Sequence, residues 1–285
     1  MSVASSPPVL GVLAHDLRWT IVGLLVPGDL RTSEIVERTG QPPSLVSYHL
    51  GRLRDAGLVS ARRSSADGRD SYHCLDLDAL GQAVTGAAGL IHPGLLSSAA
   101  SPAEQAGSTG IQAVGTARQA VAGIRTPDWP VTPDPPATPG PGERAEVLFI
   151  CTGNSARSPM AAGWLNHLGG GLVTARSAGV APARLHPLAV AAMAEHGVDI
   201  AGHQATPVSA YGDRTFSQVI TLCDRARENC AELPMMTAAV HWSIPNPAQA
   251  HPPDLDAFRA TARELRTRMG YLLPALQAGP GRAKR

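Results

Sequence analysis

The sequence predicts a two-domain protein: a mostly helical domain with one β-hairpin, followed by an α/β domain built on a parallel sheet. Three observations predict this architecture. The chain has 285 residues, which is enough for two hydrophobic cores. Residues 1–96 have helical patterning with one hairpin-like segment, whereas residues 97–144 are rich in proline, glycine and alanine. In residues 145–277, strand-like and helical segments alternate, as in a parallel sheet wrapped by helices.

Composition and charge narrow the function classes. The formal net charge is +1, so a polyanionic partner must bind a local basic patch. Four cysteines in a chain of this length do not form a disulfide scaffold. No secretory signal is recognisable, and the apolar run TIVGLLV is too short to cross a bilayer. We therefore expect a cytoplasmic protein with no membrane partner.

The proline-dense stretch TPDWPVTPDPPATPGPGE predicts a semi-extended linker, because proline cannot donate to a ladder of backbone hydrogen bonds. A short amphipathic helix is predicted within the linker at residues 111–124. Residues 278–285 form a predicted basic tail. A linker of this length makes independent action of the two domains the default expectation.

Residues 30–59, LRTSEIVERTGQPPSLVSYHLGRLRDAGLV, predict a helix-turn-helix. The first helix ends at Gly40, which suits a left-handed C-cap. In the second helix Val46, Leu50 and Leu53 share one face and form the predicted core side. The opposite face can enter a DNA major groove and carries the candidate contact residues Ser44, Ser47, Tyr48 and Arg52.

The next stretch, LVSARRSSADGRDSYHCLDL, predicts two strands joined by a basic loop, which is a wing. Arg62, Arg63 and Arg69 of this wing can lie along DNA phosphates. The element order and the text VSYHLGRLRDAGLV resemble the ArsR-like winged helix-turn-helix repressors over residues 9–90. The resemblance implies a homodimer on operator DNA, with dimer contacts from the first helix and from residues 78–90. A winged helix that binds protein instead of DNA is the alternative.

Metalloid-sensing members of that family carry two cysteines on the helix before the turn, where this chain has Arg31 and Ser33. The resemblance therefore implies no such sensing site here. Cys74 lies beside His73 in the wing, and metal sites need three or four ligands, so we interpret Cys74 as a packing residue. We expect no metal site elsewhere in the chain.

The text CTGNSARSPM directly follows the apolar run EVLFI and predicts a loop that wraps a tetrahedral oxyanion. Arg157 closes the ring with a two-pronged guanidinium, and the following helix directs its positive end at the same point. These groups stabilise a thiolate, which makes Cys151 the candidate nucleophile, with Ser158 donating to its sulfur. The predicted oxyanion-binding residues are Thr152, Gly153, Asn154, Ser155, Ala156, Arg157 and Ser158.

This loop resembles that of the low-molecular-weight protein tyrosine phosphatases and of the arsenate reductases that share their fold. The text VITLCDRARENC adds Cys223 at a strand end and Cys230 seven residues later. Reduction of arsenate uses two thiols, which end as a disulfide, and a third thiol that moves this disulfide outward to where a reductant can reach it. A phosphatase needs neither Cys223 nor Cys230. The spacing and flanking text of the three cysteines resemble the thioredoxin-coupled arsenate reductases over residues 146–276.

That resemblance implies attack of Cys151 on arsenate and a disulfide relay through Cys223 and Cys230 to thioredoxin or another low-molecular-weight thiol system, with no bound cofactor. It also implies a general-acid aspartate after the HW text, where this chain has Asn246. Asparagine cannot deliver a proton, and loss of a general acid costs about 10²–10⁴ in rate. Asp254 and Asp256 are the alternative proton donors.

Two other functions remain open from the sequence. A protein tyrosine phosphatase would use the same loop, although its alkoxide leaving group needs the proton that Asn246 cannot supply. A non-catalytic repressor would instead sense an oxyanion or the redox state of the thiols.

Overall fold

The computed structural model describes residues 8–66, 68–91, 144–212, 214–230, 234–236, 239–249 and 252–278. Apart from residues 144 and 278, the predicted linker and tail lie outside the described residues, and so does the helix predicted at residues 111–124. None of the helices within the described ranges is long and apolar enough to cross a membrane.

The N-terminal domain combines helices with a small antiparallel sheet of strand order β1-β3-β2. Its helices are α1 (Pro8–Leu13), α2 (Asp16–Leu25), α3 (Thr32–Thr39), α4 (Pro43–Asp55) and α5 (Leu77–Ile91). Its strands are β1 (Leu30–Arg31), β2 (Val59–Arg63) and β3 (Ser71–Leu75). Strands β2 and β3 pair from Val59 opposite Leu75 to Arg63 opposite Ser71, which forms the predicted wing.

The helix-turn-helix folds as its sequence pattern predicts. Gly40 ends α3 with a φ of 62°, a left-handed conformation that glycine adopts at little cost. Pro43 begins α4, where a missing N–H costs no helical hydrogen bond. Val46, Leu50 and Leu53 are at most 1% exposed in the core of the domain. The buried face of α4 therefore fixes which face of this helix remains outside.

The C-terminal domain is an α/β layer structure with four parallel strands in the order β5-β4-β6-β7, which confirms the predicted fold class. The strands are β4 (Ala145–Cys151), β5 (Val173–Gly179), β6 (Gln218–Thr221) and β7 (Val240–His241). The helices are α6 (Arg157–Gly169), α7 (Pro187–Ala194), α8 (Asp224–Asn229) and α9 (Leu255–Ala278).

Strand β4 lies inside this sheet, with a parallel neighbour on each side. Its residues from Val147 to Ile150 have no exposed area, because helices cover both faces of such a sheet. Ile150 pairs with Thr221 of β6, so the carboxyl ends of β4 and β6 lie side by side. Parallel sheets place their ligand sites at this edge, and here the edge brings Cys151 near Cys223.

The two domains pack against each other, whereas the linker alone predicted independent action. Asp29 of the N-terminal domain is 1% exposed, and its amide donates to the carbonyl of His241 at 2.7 Å. The Asp29 carboxylate accepts from the Ser243 amide at 2.7 Å and from both terminal nitrogens of Arg268 at 3.0 and 3.2 Å. The length of the linker limits only how far apart the two domains can lie. The complementary groups determine whether the domains bind each other.

Gly28 allows this close approach. A Cβ atom at Gly28 would lie 2.5 Å from Cγ1 of Val240 and 2.6 Å from the carbonyl oxygen of His241. Next to it, the Trp242 indole donates to the carbonyl of Pro27 at 3.1 Å. The edge of β7 is therefore covered by the chain that leads into β1, and no side chain fits at position 28.

His73 provides a test of the N-terminal core. The imidazole is 4% exposed, and burial, aided by the charge of Arg54, lowers the pKa of His73 to about 4. The unfolded chain binds this proton near pH 6.5, so stability is complete above that pH and declines as the pH falls toward 4. We expect a loss of about 2 kcal/mol between pH 7.5 and pH 5 from this residue.

Urea unfolding of the full chain at the two pH values measures this loss. The matched variant His73→Gln keeps a hydrogen-bond partner for Thr32, which lies 2.9 Å from the ring, but does not titrate. Its loss of stability between the two pH values should be smaller by about the same 2 kcal/mol. An equal pH dependence in both proteins would contradict the prediction.

Candidate active site

The loop between β4 and α6 is held from outside by the segment that follows β5. Its carbonyl groups at Cys151, Thr152, Gly153 and Ser155 accept hydrogen bonds of 2.8–3.2 Å from the amides of Val180, Ala181, Ala183 and His186. In a trans peptide the next N–H points opposite to the carbonyl. The amides of Thr152, Gly153, Asn154 and Ala156 therefore face the inside of the loop.

Cys151 lies at the base of this array of amides and is 2% exposed. Its Sγ accepts from the Asn154 amide at 3.2 Å and lies 3.0 Å from Oγ of Ser158. That Oγ accepts from Nδ2 of Asn154 at 2.9 Å and also lies 3.4 Å from the carbonyl oxygen of Ala178, so the sulfur and this carbonyl compete for its proton. Both contacts hold the sulfur of Cys151 in one position at the base of the loop.

Asn154 keeps the loop in shape from a fully buried position. Its φ is 47°, the one left-handed non-glycine residue in the described chain. Its Nδ2 also donates to Oγ of Ser177 at 2.9 Å, and its Oδ1 accepts from the Thr206 amide at 2.8 Å. Nε2 of His203 lies 3.1 Å from the same Oδ1. These partners keep the residue in a backbone conformation that asparagine tolerates better than most side chains.

Arg157 begins α6 and is 8% exposed. Its Nη1 donates to the carbonyl of Ile244 at 2.9 Å, which positions the guanidinium over the loop. The helix start at this residue adds the partial positive charge of its free amides. An oxyanion in the loop would therefore meet backbone N–H groups, a helix N-terminus and a guanidinium together.

The second thiol lies beside the residue that follows Cys151 and lines the same cavity. Cys223 is 2% exposed, and its Sγ lies 3.3 Å from Oγ1 of Thr152, the residue after Cys151. Cys230 is 5% exposed at the other end of α8. Burial raises the pKa of Cys230, and the neighbouring Cys223 raises it further. The thiol of Cys230 is therefore protonated near neutral pH.

A cavity of about 440 Å³ opens over the loop. Two of the thiols, Cys151 and Cys223, line it together with two arginines. Asn246 lies at its exposed edge, where Oδ1 accepts from the Ala248 amide at 3.3 Å. The described lining residues, none of which is Asp or Glu, are Ser65, Cys151, Thr152, Gly153, Ser155, Ala156, Arg157, Cys223, Arg225, Asn246, Ala248 and Gln249.

The alternative proton donors lie apart from this lining. Asp256 pairs with Arg259 at 2.8 Å and is 76% exposed. Asp254 is exposed, and its Oδ1 caps the amide of Asp256 at 3.1 Å. Neither carboxylate is among the residues around the cavity. Among the described residues, no carboxylic acid therefore lines the cavity to deliver a proton.

Sequence reasoning missed five groups near this cavity: Ser65, Ser177, His203, Asp224 and Arg225. Ser177 belongs to the SAG text, so its place beside the loop could have been inferred from that text. Asp224 follows Cys223 directly but carries no pattern of its own. Ser65 comes from the wing of the other domain, and no sequence signal links it to the cavity.

The candidate DNA surface divides into two parts. Tyr48 is 61% exposed, and the other residues predicted on the same face of α4, namely Ser44, Ser47 and Arg52, are exposed as well. Arg63 and Arg69 are also exposed on the wing. Arg62 instead lies between the domains and donates to the Ser243 carbonyl at 2.5 Å and to Glu264 at 3.0 Å. Arg62 can reach DNA only if these bonds break.

Across the described ranges, no three His, Cys, Asp or Glu side chains form a group that could hold a metal ion. Cys74 is 3% exposed, and burial raises its pKa far above the usual range, so it is a protonated packing residue in this structure.

Comparison with known proteins matches both domains. Residues 146–280 match the family described as low molecular weight phosphotyrosine protein phosphatase, and residues 15–61 match the family described as bacterial regulatory protein, arsR family. An arsenate reductase of Staphylococcus aureus (strain bovine RF122 / ET3-1) is 38% identical over 102 residues, which cover 36% of this chain and 78% of that protein. An arsenate reductase of Staphylococcus xylosus is 36% identical over 106 residues, covering 37% and 81%.

A solved structure, described as an arsenate reductase in the phosphate binding state, is 30% identical with a TM-score of 0.40 and covers 46% of this chain and 98% of that one. The residues matched to the phosphatase family, 146–280, contain the loop of Cys151, and the identity to the staphylococcal enzymes extends over most of their length. The chain therefore belongs to the arsenate reductase family with the low-molecular-weight phosphatase fold, and it carries an ArsR-family helix-turn-helix at its N-terminus.

Proposed function

We propose that this protein is an arsenate reductase fused to a transcriptional regulator. The observation that carries the proposal is the pairing of Cys151 and Cys223 around one cavity, with backbone amides and Arg157 directed at the same place. A tetrahedral oxyanion is the ligand that such a set of donors recognises. Two thiols that line the same cavity supply the two electrons that reduction of arsenate requires.

The thiolate of Cys151 attacks arsenic, and an oxygen leaves as water, which forms a thiol–arsenate adduct. Cys223 then attacks the sulfur of Cys151. The sulfur–arsenic bond breaks with its electron pair on arsenic, so arsenite leaves and a disulfide joins the two cysteines. Cys230 attacks Cys223 in turn, which frees Cys151 and leaves the Cys223–Cys230 disulfide for a thioredoxin-like reductant.

The absence of a carboxylic acid around the described cavity favours this chemistry over phosphatase chemistry. Hydrolysis of a phosphate monoester releases an alkoxide or phenolate that must be protonated. A thiol–arsenate adduct releases arsenite through sulfur attack, so only the first oxygen departure needs a proton. Asn246 therefore slows a reductase only at the departure of the first oxygen. It slows a phosphatase at the departure of the leaving group, which is the main step of that reaction.

The N-terminal domain binds operator DNA in this proposal. The exposed face of α4 offers Tyr48 and Arg52 to the major groove, and Arg63 reaches a phosphate beside it. Apolar side chains on the outer helices, Leu10, Val84 and Leu90, are exposed by 39%, 49% and 78%. Their burial against a second copy of the chain would form the homodimer.

The thiol relay yields the first test. Arsenite formation from arsenate, with thioredoxin, thioredoxin reductase and NADPH, should fall by about 10³-fold or more in Cys151→Ser, Cys223→Ser and Cys230→Ser, because each thiol makes or breaks a bond in the cycle. Cys74→Ala, which removes the buried thiol of the other domain, should retain activity. Turnover in Cys223→Ser equal to wild type would contradict the relay.

Asn246 yields a gain-of-function test. Asn246→Asp places a carboxylic acid at the cavity edge and should raise hydrolysis of p-nitrophenyl phosphate by about 10²-fold. Asn246→Ala removes the same amide without supplying an acid and should leave that hydrolysis near the wild-type level. Wild-type phosphatase activity already equal to that of Asn246→Asp would instead favour the phosphatase alternative.

DNA binding is tested through its salt dependence. Arg63→Ala should weaken binding to a duplex from the promoter of its own gene and lower the slope of log K against log salt by about 1. Arg263→Ala removes an exposed arginine from α9 of the reductase domain and serves as the control. Equal slopes for the wild type and Arg63→Ala would exclude Arg63 from the DNA contact.

A further inference from the structure

Helix α8 separates the two relay thiols. Cys223 is its N-cap residue and Cys230 its C-cap residue, seven positions apart. At 1.5 Å per residue, a helix places their Cα atoms about 10 Å apart. A disulfide requires Cα atoms about 4.4–6.8 Å apart. The bond between these cysteines therefore cannot form until α8 unwinds.

The same short helix is where the winged-helix domain touches the relay. Oδ2 of Asp224 accepts the backbone N–H of Ser65 at 2.6 Å. Oε1 of Glu228 accepts from Oγ of Ser64 at 3.3 Å. Positions 224 and 228 are four apart and share one helix face. Ser64 and Ser65, which form the wing tip, can therefore bind both side chains only while α8 is helical.

Arg227 adds a third contact on that face. Its guanidinium donates to Glu34 of α3 and lies 5.7 Å from the centroid of the Tyr72 ring. The two charged side chains of this pair are about 20% exposed, so the pair is partly shielded from water. Three of the six residues of α8 thus contact the other domain. Unwinding of α8 would move all three away from their partners.

Asp224 ties these contacts to the reductase core. It is 3% exposed, and its Oδ1 lies 3.0 Å from Nε2 of His241 and accepts from Oγ of Ser243 at 2.9 Å. Burial alone raises the pKa of Asp224, but the hydrogen bonds from His241 and Ser65 outweigh it and hold the pKa well below the usual range. The wing therefore supplies one of the donors that stabilise a buried carboxylate.

We infer that the contact of the wing tip and α3 with α8 exists only while Cys223 and Cys230 are thiols, so that formation of their disulfide detaches the wing from the reductase domain. The inference rests on the proposed relay for its physiological oxidant. Bond formation between the two sulfurs removes two protons and two electrons, and the electrons pass through Cys151 to arsenic.

The coupling is reciprocal, because any contact made only in the dithiol state stabilises that state. Docking of the wing therefore opposes disulfide formation, and weakening of the docking favours it. Arsenate reduction and wing docking are linked through one helix in this arrangement.

The first experiment forms the disulfide without arsenate. Full-length Cys151→Ser is treated with diamide, an azo oxidant that takes up two electrons and two protons and becomes a hydrazine. Hydrogen exchange at the Ser65 amide should accelerate by at least about tenfold after oxidation, because its acceptor on Asp224 moves away. The double variant Cys151→Ser/Cys230→Ser cannot form this disulfide and should keep the slow exchange after the same treatment.

A Cys223–Cys230 disulfide confirmed by peptide mass, with unchanged exchange at Ser65, would overturn the inference. Failure of diamide to join the two cysteines would overturn it as well. Both results are independent of arsenate turnover, so a chain that shows the redox-linked exchange but forms no arsenite would refute the proposed reductase activity alone.

The reciprocal effect is measured in a glutathione redox buffer. Glu34→Gln removes the charge that pairs with Arg227, while the amide oxygen can still accept from the Arg31 amide, the 2.7 Å bond that caps α3. The equilibrium should shift about tenfold toward the disulfide, which lowers the reduction potential by about 30 mV. Glu37→Gln, on the exposed face of the same helix, is the control and should leave the equilibrium unchanged. An unchanged equilibrium in Glu34→Gln would count against the inference.

Discussion

Four backbone carbonyls of the loop after β4 are hydrogen-bonded from outside the loop, and the chemistry of the site follows from that constraint. The segment from Val180 to His186 accounts for it, because its amides bind those carbonyls from outside. The amides of the loop can then converge on one point without any side chain to direct them. Asn154 fixes the same geometry from within, and Gly179 is a glycine because a Cβ there would lie 2.9 Å from the Asn154 amide nitrogen. The surroundings of Cys151 are therefore built from three separate segments of the chain.

The local features of the molecule could be predicted, because residues close in sequence determine them. The apolar face of Val46, Leu50 and Leu53 follows from helical periodicity, and the left-handed Gly40 follows from its place after a short helix. The parallel sheet follows from alternating segments. Asp29 and Ser65 could not be predicted, since their partners Ser243 and Asp224 lie 214 and 159 positions later in the chain and no periodicity connects them.

The domain interface is built largely from charged groups, which makes it specific and sensitive to the loss of a partner. The Asp29 carboxylate and the Arg268 guanidinium are 2% and 12% exposed, and removal of one would leave the other buried without its counter-charge. Such a loss costs about 3–5 kcal/mol, whereas an intact buried pair contributes little net stability. The pair therefore specifies one docked arrangement of the domains more than it stabilises the interface. Arg62 follows the same logic at the edge of the interface, where its partner is Glu264 at 3.0 Å.

Docking of the wing on α8 has a further consequence, because both surfaces belong to one polypeptide. A tethered surface faces its partner at an effective concentration on the order of millimolar, whatever the amount of protein in the cell. The contact at Ser65 and Asp224 can therefore be weak in itself, and still be occupied, at dilutions where separate proteins would be apart. A weak contact opens and closes readily. The position of the wing in each molecule can therefore follow the oxidation state of its own thiols without a collision with a second protein.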